Sequence, residues 1–321
     1  MFENGLHLFE NKDIIIYKMN GTRRKKMFGL YFGKYLVDKN VITQKECDNV
    51  IEKQKNARVK LGLLAVETKL MTQAQADEVN TLQTLMDKRF GDIAVSKGYL
   101  TDDQVGQLLK KQGDAYLQFV QTITEEGLLD MSDLNKYLEE FKQDNGYSDE
   151  EMEDLKSSDL DKVVPLFTKK AQGMTKDYLS LMVRNLNRFI DTEIRMEELY
   201  IKDEISIDKA ACQSMFGDHE LFVGFVGGQA GLVHIGSQFA KEEFTEVDED
   251  VLDSICEFIN TINGLFASSL SENEIDMDMH PPMMAMDAKV IRSDELFVLP
   301  VFLSGKKGEL VLALDKKVIV E

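Results

Sequence analysis

The sequence is poor in cysteine, has fewer basic than acidic residues and contains no long hydrophobic run, and each of these features excludes a class of protein. Its 321 residues include three cysteines, a scattered and odd set that excludes a disulfide framework and favours a reducing compartment. The most apolar stretch, residues 221–235, is interrupted by glycines and is shorter than a membrane span. The first residues show neither the basic nor the apolar region of a signal peptide. We therefore expect a cytoplasmic protein.

The charge balance is strongly acidic. Lysine and arginine number 38 against 57 aspartates and glutamates, which gives a net charge of −19 at pH 7. Because phosphate backbones and anionic lipids repel such a chain, we expect neither nucleic acid nor a membrane as a partner. The few histidines are dispersed, so no metal site is predicted, and His234 is interpreted as a core residue of an apolar strand.

A repeat with a step of 29 residues organises the N-terminal part of the sequence. Three similar segments begin at Tyr31, Lys60 and Arg89, and a degenerate fourth copy begins near Gln118. Each of the three carries an early glycine in an apolar run and, at a fixed offset, a threonine suited to cap a second helix. The repeat therefore predicts helical hairpins that bury their apolar faces by stacking on one another. The capping threonines are Thr43, Thr72 and Thr101.

The length and a shift in composition predict about two domains. Residues 144–161 are rich in aspartate, glutamate and serine, which is typical of a solvated segment. We therefore predict a short N-terminal segment, an all-α repeat domain, an acidic linker and an α+β domain. Their predicted boundaries are 1–27, 28–143, 144–170 and 171–321.

The C-terminal part alternates helical and strand-like patterns, which favours an α+β domain with a mostly antiparallel sheet and two long helices. The long helices are predicted at 177–199 and 247–270, and a glycine-rich hairpin is predicted over 220–236. Further strands are predicted at 200–207, 288–291, 296–303 and 309–314.

The second long helix carries a line of polar and small residues beside its apolar face. Asp253, Glu257, Asn260 and Gly264 follow one another at helical spacing, so they lie along one side of the helix. A carboxylate and a carboxamide one turn apart, followed by a glycine, form a shallow polar groove that another surface can approach. The alternative is the ordinary solvated side of an amphipathic helix.

The pattern Glu-x-x-Asn-x-x-x-Gly at 257–264 resembles the CheC/CheX/FliY family of chemotaxis phosphatases, over roughly residues 174–314. A single copy of the pattern resembles the CheX branch. The resemblance implies that Glu257 and Asn260 are catalytic, that Asp253 and Gly264 help to dock the substrate, and that the substrate is a CheY-like response regulator carrying an aspartyl phosphate. It also implies that Mg²⁺ comes with the receiver and that the chain has no cofactor of its own.

The repeats resemble the N-terminal domains of the MshE/GspE family, some of which bind cyclic di-GMP. The residues that carry this resemblance are Arg89 and Gly91 in the third copy and Lys60 and Gly62 in the second. The resemblance implies cyclic di-GMP as a ligand of a regulatory module. The alternative is a repeat that serves packing alone.

Two classes of function stay open at this point. The first is a CheX-like phosphatase in chemotaxis or two-component signalling, with an N-terminal regulatory module. The second is a non-catalytic signalling adaptor, or a cyclic di-GMP receptor, that uses the same fold to bind proteins. A homodimer is compatible with either.

Overall fold

The computed structural model describes residues 27–54, 57–86 and 88–321. The chain forms two compact units, the first ending at Asn145 and the second spanning Gly146–Glu321. The predicted N-terminal segment 1–27 lies outside the described residues except for Met27. Within the described ranges, no helix is both long enough and apolar enough to cross a membrane.

The described residues of the first unit form four helical hairpins, which confirms the predicted repeat architecture. Two helices make up each copy, joined by a short turn, and buried apolar side chains fill the space between copies. The helices are α1 (Met27–Asp38), α2 (Gln44–Gln54), α3 (Leu61–Glu67), α4 (Gln73–Leu85), α5 (Phe90–Ser96), α6 (Asp102–Lys110), α7 (Ala115–Glu125) and α8 (Met131–Asp144).

The turn inside each hairpin repeats with the same step of 29 residues as the sequence. One residue per turn adopts a left-handed backbone conformation, which favours glycine. Glycine is present in the third and fourth copies, and the first two copies carry other residues there. These positions are Asn40, Lys69, Gly98 and Gly127, with φ of 57°, 58°, 73° and 67°.

The threonine after each of the first three turns caps the following helix, as predicted. The side chains of Thr72 and Thr101 each accept a hydrogen bond from the backbone N–H three residues on. In return, the side chains of Gln75 and Gln104 accept a hydrogen bond from the backbone N–H of the threonine. Thr43 forms the same reciprocal pair with Glu46. These capping boxes fix where the second helix of each hairpin begins.

The early glycine of each of the first three copies allows close approach of helices. A Cβ on Gly33 would lie 2.7 Å from Cys47 Sγ, and one on Gly91 would lie 2.9 Å from Val105 Cγ1. Both partners are 14 positions further along the chain, in the second helix of the same hairpin. The glycine is therefore part of the packing of the repeat.

The segment predicted as an acidic linker, 144–170, is largely helical, so this prediction is wrong. It contains α9 (Asp149–Ser157) and α10 (Leu160–Phe167). Ser148 and Glu151 form a capping box at the start of α9, and the acidic residues around it lie mostly on the solvent side. The buried side chains are Met152, Leu155, Val163, Val164, Leu166 and Phe167. These few apolar residues at helical spacing suffice to dock two short helices despite the acidic composition.

The second unit is built on an antiparallel sheet with the order β1-β7-β8-β4-β3-β5. Strands β2 and β9 also pair with β7, and β6 also pairs with β3. The strands are β1 (Ile194–Met196), β2 (Tyr200–Ser206), β3 (Ala210–Gly217), β4 (Leu221–Val226), β5 (Met277–Met279), β6 (Met283–Ala285), β7 (Val290–Leu303), β8 (Lys306–Leu314) and β9 (Ile319–Val320). The predicted α+β class with an antiparallel sheet is confirmed.

Three helices pack around this sheet: α11 (Gly173–Asn185), α12 (Gln229–Ala240) and α13 (Glu249–Ser271). Phe258 of α13 is fully buried between Phe225 of β4 and Phe239 of α12, with ring centroids 6.1 and 5.4 Å away. The predicted second long helix at 247–270 is therefore confirmed as α13.

The predicted first long helix, 177–199, is wrong at its C-terminal end. Helix α11 ends at Asn185, a π-helical turn covers Leu186–Ile190, and the chain then enters β1. Ile194 and Met196 are buried while the residue between them is partly exposed, and all three pair with β7. At Ile194–Met196 the alternation of buried and partly exposed side chains in a strand takes precedence over the helical spacing that the sequence suggested.

The glycine-rich segment 220–236 is a strand followed by a helix, so the predicted hairpin is also wrong. Strand β4 ends at Val226, the next residue is Gly227 with a φ of 138°, and α12 begins two residues after that glycine. A Cβ on Gly231 would lie 2.0 Å from the backbone oxygen of Lys307, so glycine lets the first turn of α12 rest on β8. His234 accordingly lies on a partly buried helix rather than in a strand.

The strands predicted at 288–291 and 296–303 are one continuous strand, β7, and β3 at 210–217 was not predicted. Strand β3 runs between β4 on one side and the short strands β5 and β6 on the other. This position places β3 beneath α13, where the candidate site lies.

Candidate active site

Helix α13 carries the polar line that the sequence singled out. Asp248 caps the helix by accepting a hydrogen bond from Val251 N at 3.0 Å, and acidic residues in the first turn suit the helix dipole. A buried apolar stripe fixes the rotation of the helix about its axis. The stripe comprises Val251, Ile255, Phe258, Ile259, Ile262 and Phe266.

That rotation leaves the polar line on the accessible side. Asp253 and Glu257 are exposed, and Asn260 and Gly264 are half-buried. Within the described part of the chain, the carboxylates of Asp253 and Glu257 form no hydrogen bond or ion pair. An exposed carboxylate with no internal partner is available to a cationic group of another molecule.

Gly264 differs from the glycines that serve packing. A Cβ on Gly264 would have Met279 Cε, at 3.9 Å, as its nearest neighbour. A Cβ on Gly236 in α12, by contrast, would lie 3.0 Å from Val251 Cγ1 and 3.1 Å from Val251 O. Glycine inside a helix costs about 1 kcal/mol relative to alanine. Packing within the second unit therefore explains the glycine at 236 and not the one at 264.

The carboxamide of Asn260 is fixed by a hydrogen bond from Gln213 of β3, on the sheet side of α13. Gln213 Nε2 donates to Asn260 Oδ1 at 2.7 Å and to the backbone oxygen of His280 at 2.8 Å. Gln213 is 2% exposed, so both bonds are shielded from water. They turn the oxygen of Asn260 toward the sheet.

Two further buried residues extend this network. Asn263 Nδ2 donates to Gln213 Oε1 at 2.9 Å, and the Tyr178 hydroxyl donates to Asn263 Oδ1 at 2.5 Å. Tyr178 and Asn263 are fully buried. Burial raises the pKa of Tyr178 well above its usual value, so the hydroxyl keeps its proton. Sequence reasoning missed Gln213, Asn263 and Tyr178, although Asn263 lies one helical turn beyond Asn260.

The surroundings of Asn260 and Gly264 are partly apolar and exposed. Phe216 stacks on the ring of His280 at 4.4 Å between centroids, and it is 40% exposed. Leu265 and Met283 are 47% and 42% exposed. The accessible side of α13 thus combines carboxylates, an amide and apolar side chains, a mixture that suits contact with another protein.

The nearby cysteines are not nucleophiles at neutral pH. Burial raises the pKa of Cys256 to about 11 and that of Cys212 to about 12. No cluster of three or more potential metal ligands occurs among the residues with described positions. The polar line itself offers the amide of Asn260 and the carboxylates of Glu257 and Asp253.

The residues implied as a nucleotide site lie at the starts of α3 and α5. A Cβ on Gly62 would lie 3.1 Å from the ring of Phe90, so the two helix starts touch. Lys60 forms an ion pair with Glu125 at 2.6 Å, and Arg89 is exposed at the N-cap of α5. Gly62 and Gly91 both face packed side chains, as a packing repeat requires. Binding of cyclic di-GMP stays a prediction.

The comparison with protein families concerns the second unit. Residues 210–301 match the family model described as "Chemotaxis phosphatase CheX". This stretch covers less than a third of the chain and includes β3, α13 and all four residues of the polar line. The resemblance to the CheC/CheX/FliY family is thereby confirmed for this CheX-like domain. Among curated proteins, none matches the chain.

Solved structures of chemotaxis proteins are similar to the same part of the chain. CheX from Desulfovibrio desulfuricans is 15% identical and has a TM-score of 0.38, covering 44% of this chain and 98% of its own. CheX from Vibrio vulnificus is 15% identical with a TM-score of 0.37, covering 44% and 98%. A CheX–CheY–BeF₃–Mg²⁺ complex from Borrelia burgdorferi is 20% identical with a TM-score of 0.38, covering 44% and 97%.

Proposed function

We propose that the CheX-like domain hydrolyses the aspartyl phosphate of a CheY-like receiver, with α13 as the docking and catalytic element. The observation that carries this proposal is the pairing of a fixed amide, Asn260, with an unpartnered carboxylate, Glu257, on the accessible side of one helix. The family match over residues 210–301 supports it. Hydrolysis of this acyl phosphate needs positioning and charge neutralisation more than a nucleophilic side chain, so two such residues suffice.

Asn260 is proposed to hold the attacking water in line with the phosphorus. Its Oδ1 uses one lone pair on Gln213 and keeps the other, and its Nδ2 has no hydrogen bond to any described residue. An amide fixed in this way offers a water its Nδ2 donor without having to reorganise. Any Mg²⁺ that the reaction uses is proposed to be bound by the receiver.

Glu257 is proposed to anchor the receiver through a cationic side chain beside its phosphorylation site. The carboxylate lies one turn before Asn260, so an ion pair at Glu257 brings the phosphoryl group close to the amide. Asp253 adds negative charge one turn earlier, and Gly264 leaves room for the receiver surface one turn after Asn260.

The two roles predict that one variant lowers the saturated hydrolysis rate and that the other weakens receiver binding. Asn260→Ala removes the positioned amide, so hydrolysis at saturating phosphoreceiver should slow by at least ~10²-fold while receiver affinity changes little. Glu257→Gln removes the charge, so the dissociation constant of a beryllofluoride-loaded receiver should rise about tenfold with a smaller change in the saturated rate. Quenched-flow phosphate release and calorimetry measure the two quantities.

Asn273→Ala is the matched control, because Asn273 is an exposed asparagine just beyond the C-terminal end of the same helix. Thermal unfolding shows whether the three variants are folded. Asn260→Ala should be somewhat less stable than the other two, because it leaves one N–H of the buried Gln213 without its acceptor. Saturated hydrolysis by folded Asn260→Ala at the wild-type rate would rule out the proposed role of the amide.

A further inference from the structure

In the buried hydrogen-bond network behind Asn260, a backbone carbonyl group determines which side-chain atoms donate and which accept. The peptide oxygen of His280 can only accept hydrogen bonds, so Gln213 must present its Nε2 to it. If the amide of Gln213 were reversed, two oxygens would face each other at the same 2.8 Å separation. The orientation of Gln213 is therefore set by a group that cannot change its role.

The fixed orientation of Gln213 determines the orientation of the other two side-chain amides in the network, those of Asn260 and Asn263. Since Gln213 Nε2 also faces Asn260, Asn260 must turn its oxygen inward. Since Gln213 Oε1 faces Asn263, Asn263 must offer its Nδ2 there and turn its Oδ1 to the Tyr178 hydroxyl. Each residue uses the one arrangement in which donors meet acceptors from His280 to Tyr178.

Burial makes this arrangement costly to leave. Gln213 is 2% exposed, and Asn263 and Tyr178 are fully buried, so no water is at hand to replace a broken bond. Asn260, at the outer end, is only half-buried. The three inner residues thus form a rigid support, and the outer amide is the part that a docked molecule can reach.

We propose that Gln213, backed by Asn263 and Tyr178, is a positioning residue that keeps the Nδ2 end of the Asn260 carboxamide turned toward the docked receiver. The inference rests on the proposed phosphatase function and adds residues from β3 and α11 to the site. None of the three touches the phosphoryl group, and all act through the orientation of Asn260.

The test uses the full-length chain and two replacements of Gln213. Gln213→Met keeps the length of the side chain and removes its polar atoms. Gln213→Glu keeps the shape and removes both N–H donors. Burial beside the peptide oxygen of His280 should keep the new acid protonated, so that it donates its proton to that oxygen. Asn260 should then reverse and donate its Nδ2 to the acid. Asn185→Leu is the matched control, because Asn185 is a buried amide of the same unit whose side-chain hydrogen bond within the described part of the chain is to its own helix, at Leu181 O.

The first readout follows the side-chain amide protons of Asn260 by NMR and does not depend on catalysis. In the wild type they should exchange rapidly with solvent, whereas those of Gln213 and Asn263 should be protected. In Gln213→Glu the Asn260 protons should become protected at least ~10-fold as the amide turns inward, and in Asn185→Leu they should not change. Unchanged exchange at Asn260 in a folded Gln213→Glu protein would overturn the inference.

The second readout is kinetic. Gln213→Met should lower the saturated rate of phosphoreceiver hydrolysis ~10-fold or more, with receiver affinity within ~2-fold of wild type. Adding Gln213→Met to Asn260→Ala should cost nothing further, because the support has lost the group that it positions. Full additivity of the two changes, or a wild-type rate in Gln213→Met, would contradict a positioning role.

Tyr178→Phe is a milder variant in case the replacements of Gln213 prevent folding. It removes only the hydroxyl oxygen at the inner end of the network. It should give a smaller loss of rate, of ~2-fold to ~5-fold, again with unchanged affinity. Absence of hydrolysis in the wild type would refute the proposed function alone, and the NMR exchange would still decide whether the network sets the orientation of Asn260. A wild-type enzyme that is active and indifferent to both replacements would refute the network and leave the phosphatase intact.

Discussion

Individual residues on the accessible side of α13 are held to very different degrees. Asn260 is fixed through Gln213, whereas the carboxylate of Glu257 forms no bond with any described residue. This difference suits the proposed chemistry, because a positioned water tolerates little movement while an ion pair with a docking partner tolerates more. The polar line therefore contains one rigid group and one adaptable group a single turn apart.

A second polar cluster, centred on Asp191, contributes to stability rather than to the site. Asp191 Oδ2 accepts hydrogen bonds from His234 Nε2 at 2.7 Å and from Ser304 Oγ at 2.6 Å. Burial works to raise the pKa of Asp191, but the bonds from His234, Ser304 and the backbone of Glu193 outweigh it and lower the pKa overall. The cluster ties the end of the π-helical turn to α12 and to the β7–β8 turn.

The lowered pKa of Asp191 predicts a pH-dependent contribution to stability. A carboxylate whose folded pKa lies below its unfolded value, about 3.9, stabilises the fold above that pH and loses the contribution as the pH falls through the folded pKa. Asp191→Asn should therefore lower the free energy of unfolding by ~1–3 kcal/mol at pH 7, and the gap to wild type should shrink toward pH 3. Urea unfolding between pH 7 and pH 3 measures it, with Asp203→Asn on an exposed strand as the control. A gap that is equal at both ends of this range would contradict the assignment.

At the scale of elements, the glycines of α12 and α13 should respond oppositely to alanine. Gly264→Ala should raise the free energy of unfolding by up to ~1 kcal/mol, because helix propensity improves and the new Cβ has no neighbour closer than 3.9 Å. Gly236→Ala should destabilise, because its Cβ would press on Val251 Cγ1 at 3.0 Å and Val251 O at 3.1 Å.

At Gly264, a larger side chain should weaken receiver binding without unfolding the domain. Gly264→Leu should weaken the affinity for a beryllofluoride-loaded receiver by about tenfold or more while the domain stays folded, since the side chain would project from the docking side of α13. Chemical denaturation and calorimetry check both effects. Equal receiver affinity for wild type and Gly264→Leu would show that the receiver does not contact this turn.

Sequence patterns predicted those features that lie within one element or one repeat. The step of 29 residues, the capping threonines and the polar line of α13 each depend on spacing along a single segment, and the structure places them accordingly. The hairpin predicted for the segment 220–236 was wrong, because a short apolar run around glycines is compatible with a strand and with a helix. Gln213 could not be predicted, because its role arises only when β3, β5 and α13 come together.

At the scale of the whole molecule, each of the two compact units contains a buried apolar cluster of its own. One buried cluster draws on residues between Val59 and Leu117, and another draws on residues between Ile205 and Ala313. The predicted boundary at 171 would remove α9 and α10 from the second unit, although Leu199 N donates to Phe167 O at 2.8 Å and Phe167 is buried. The two short helices therefore belong to the fold of the second unit.

This assignment predicts different behaviour for two fragments. The fragment 146–321 should unfold cooperatively and keep the receiver-dependent activity of the full chain, since the α13 site lies within it. The fragment 171–321 should be less stable by ~3 kcal/mol or more, because it lacks the buried side chains of α9 and α10. Circular dichroism melting curves compare the two. Equal melting temperatures would show that α9 and α10 add nothing to the fold.

The most direct test of the account is whether a small amount of the full-length chain turns over an excess of phosphorylated CheY-like receiver. A phosphatase at α13 predicts that one molecule releases many phosphates, at a rate well above spontaneous loss, and that Asn260→Ala abolishes this excess. A non-catalytic adaptor predicts binding to the receiver with phosphate lost only at the spontaneous rate. Tight receiver binding without turnover in the wild type, across a panel of CheY-like receivers, would contradict the phosphatase account.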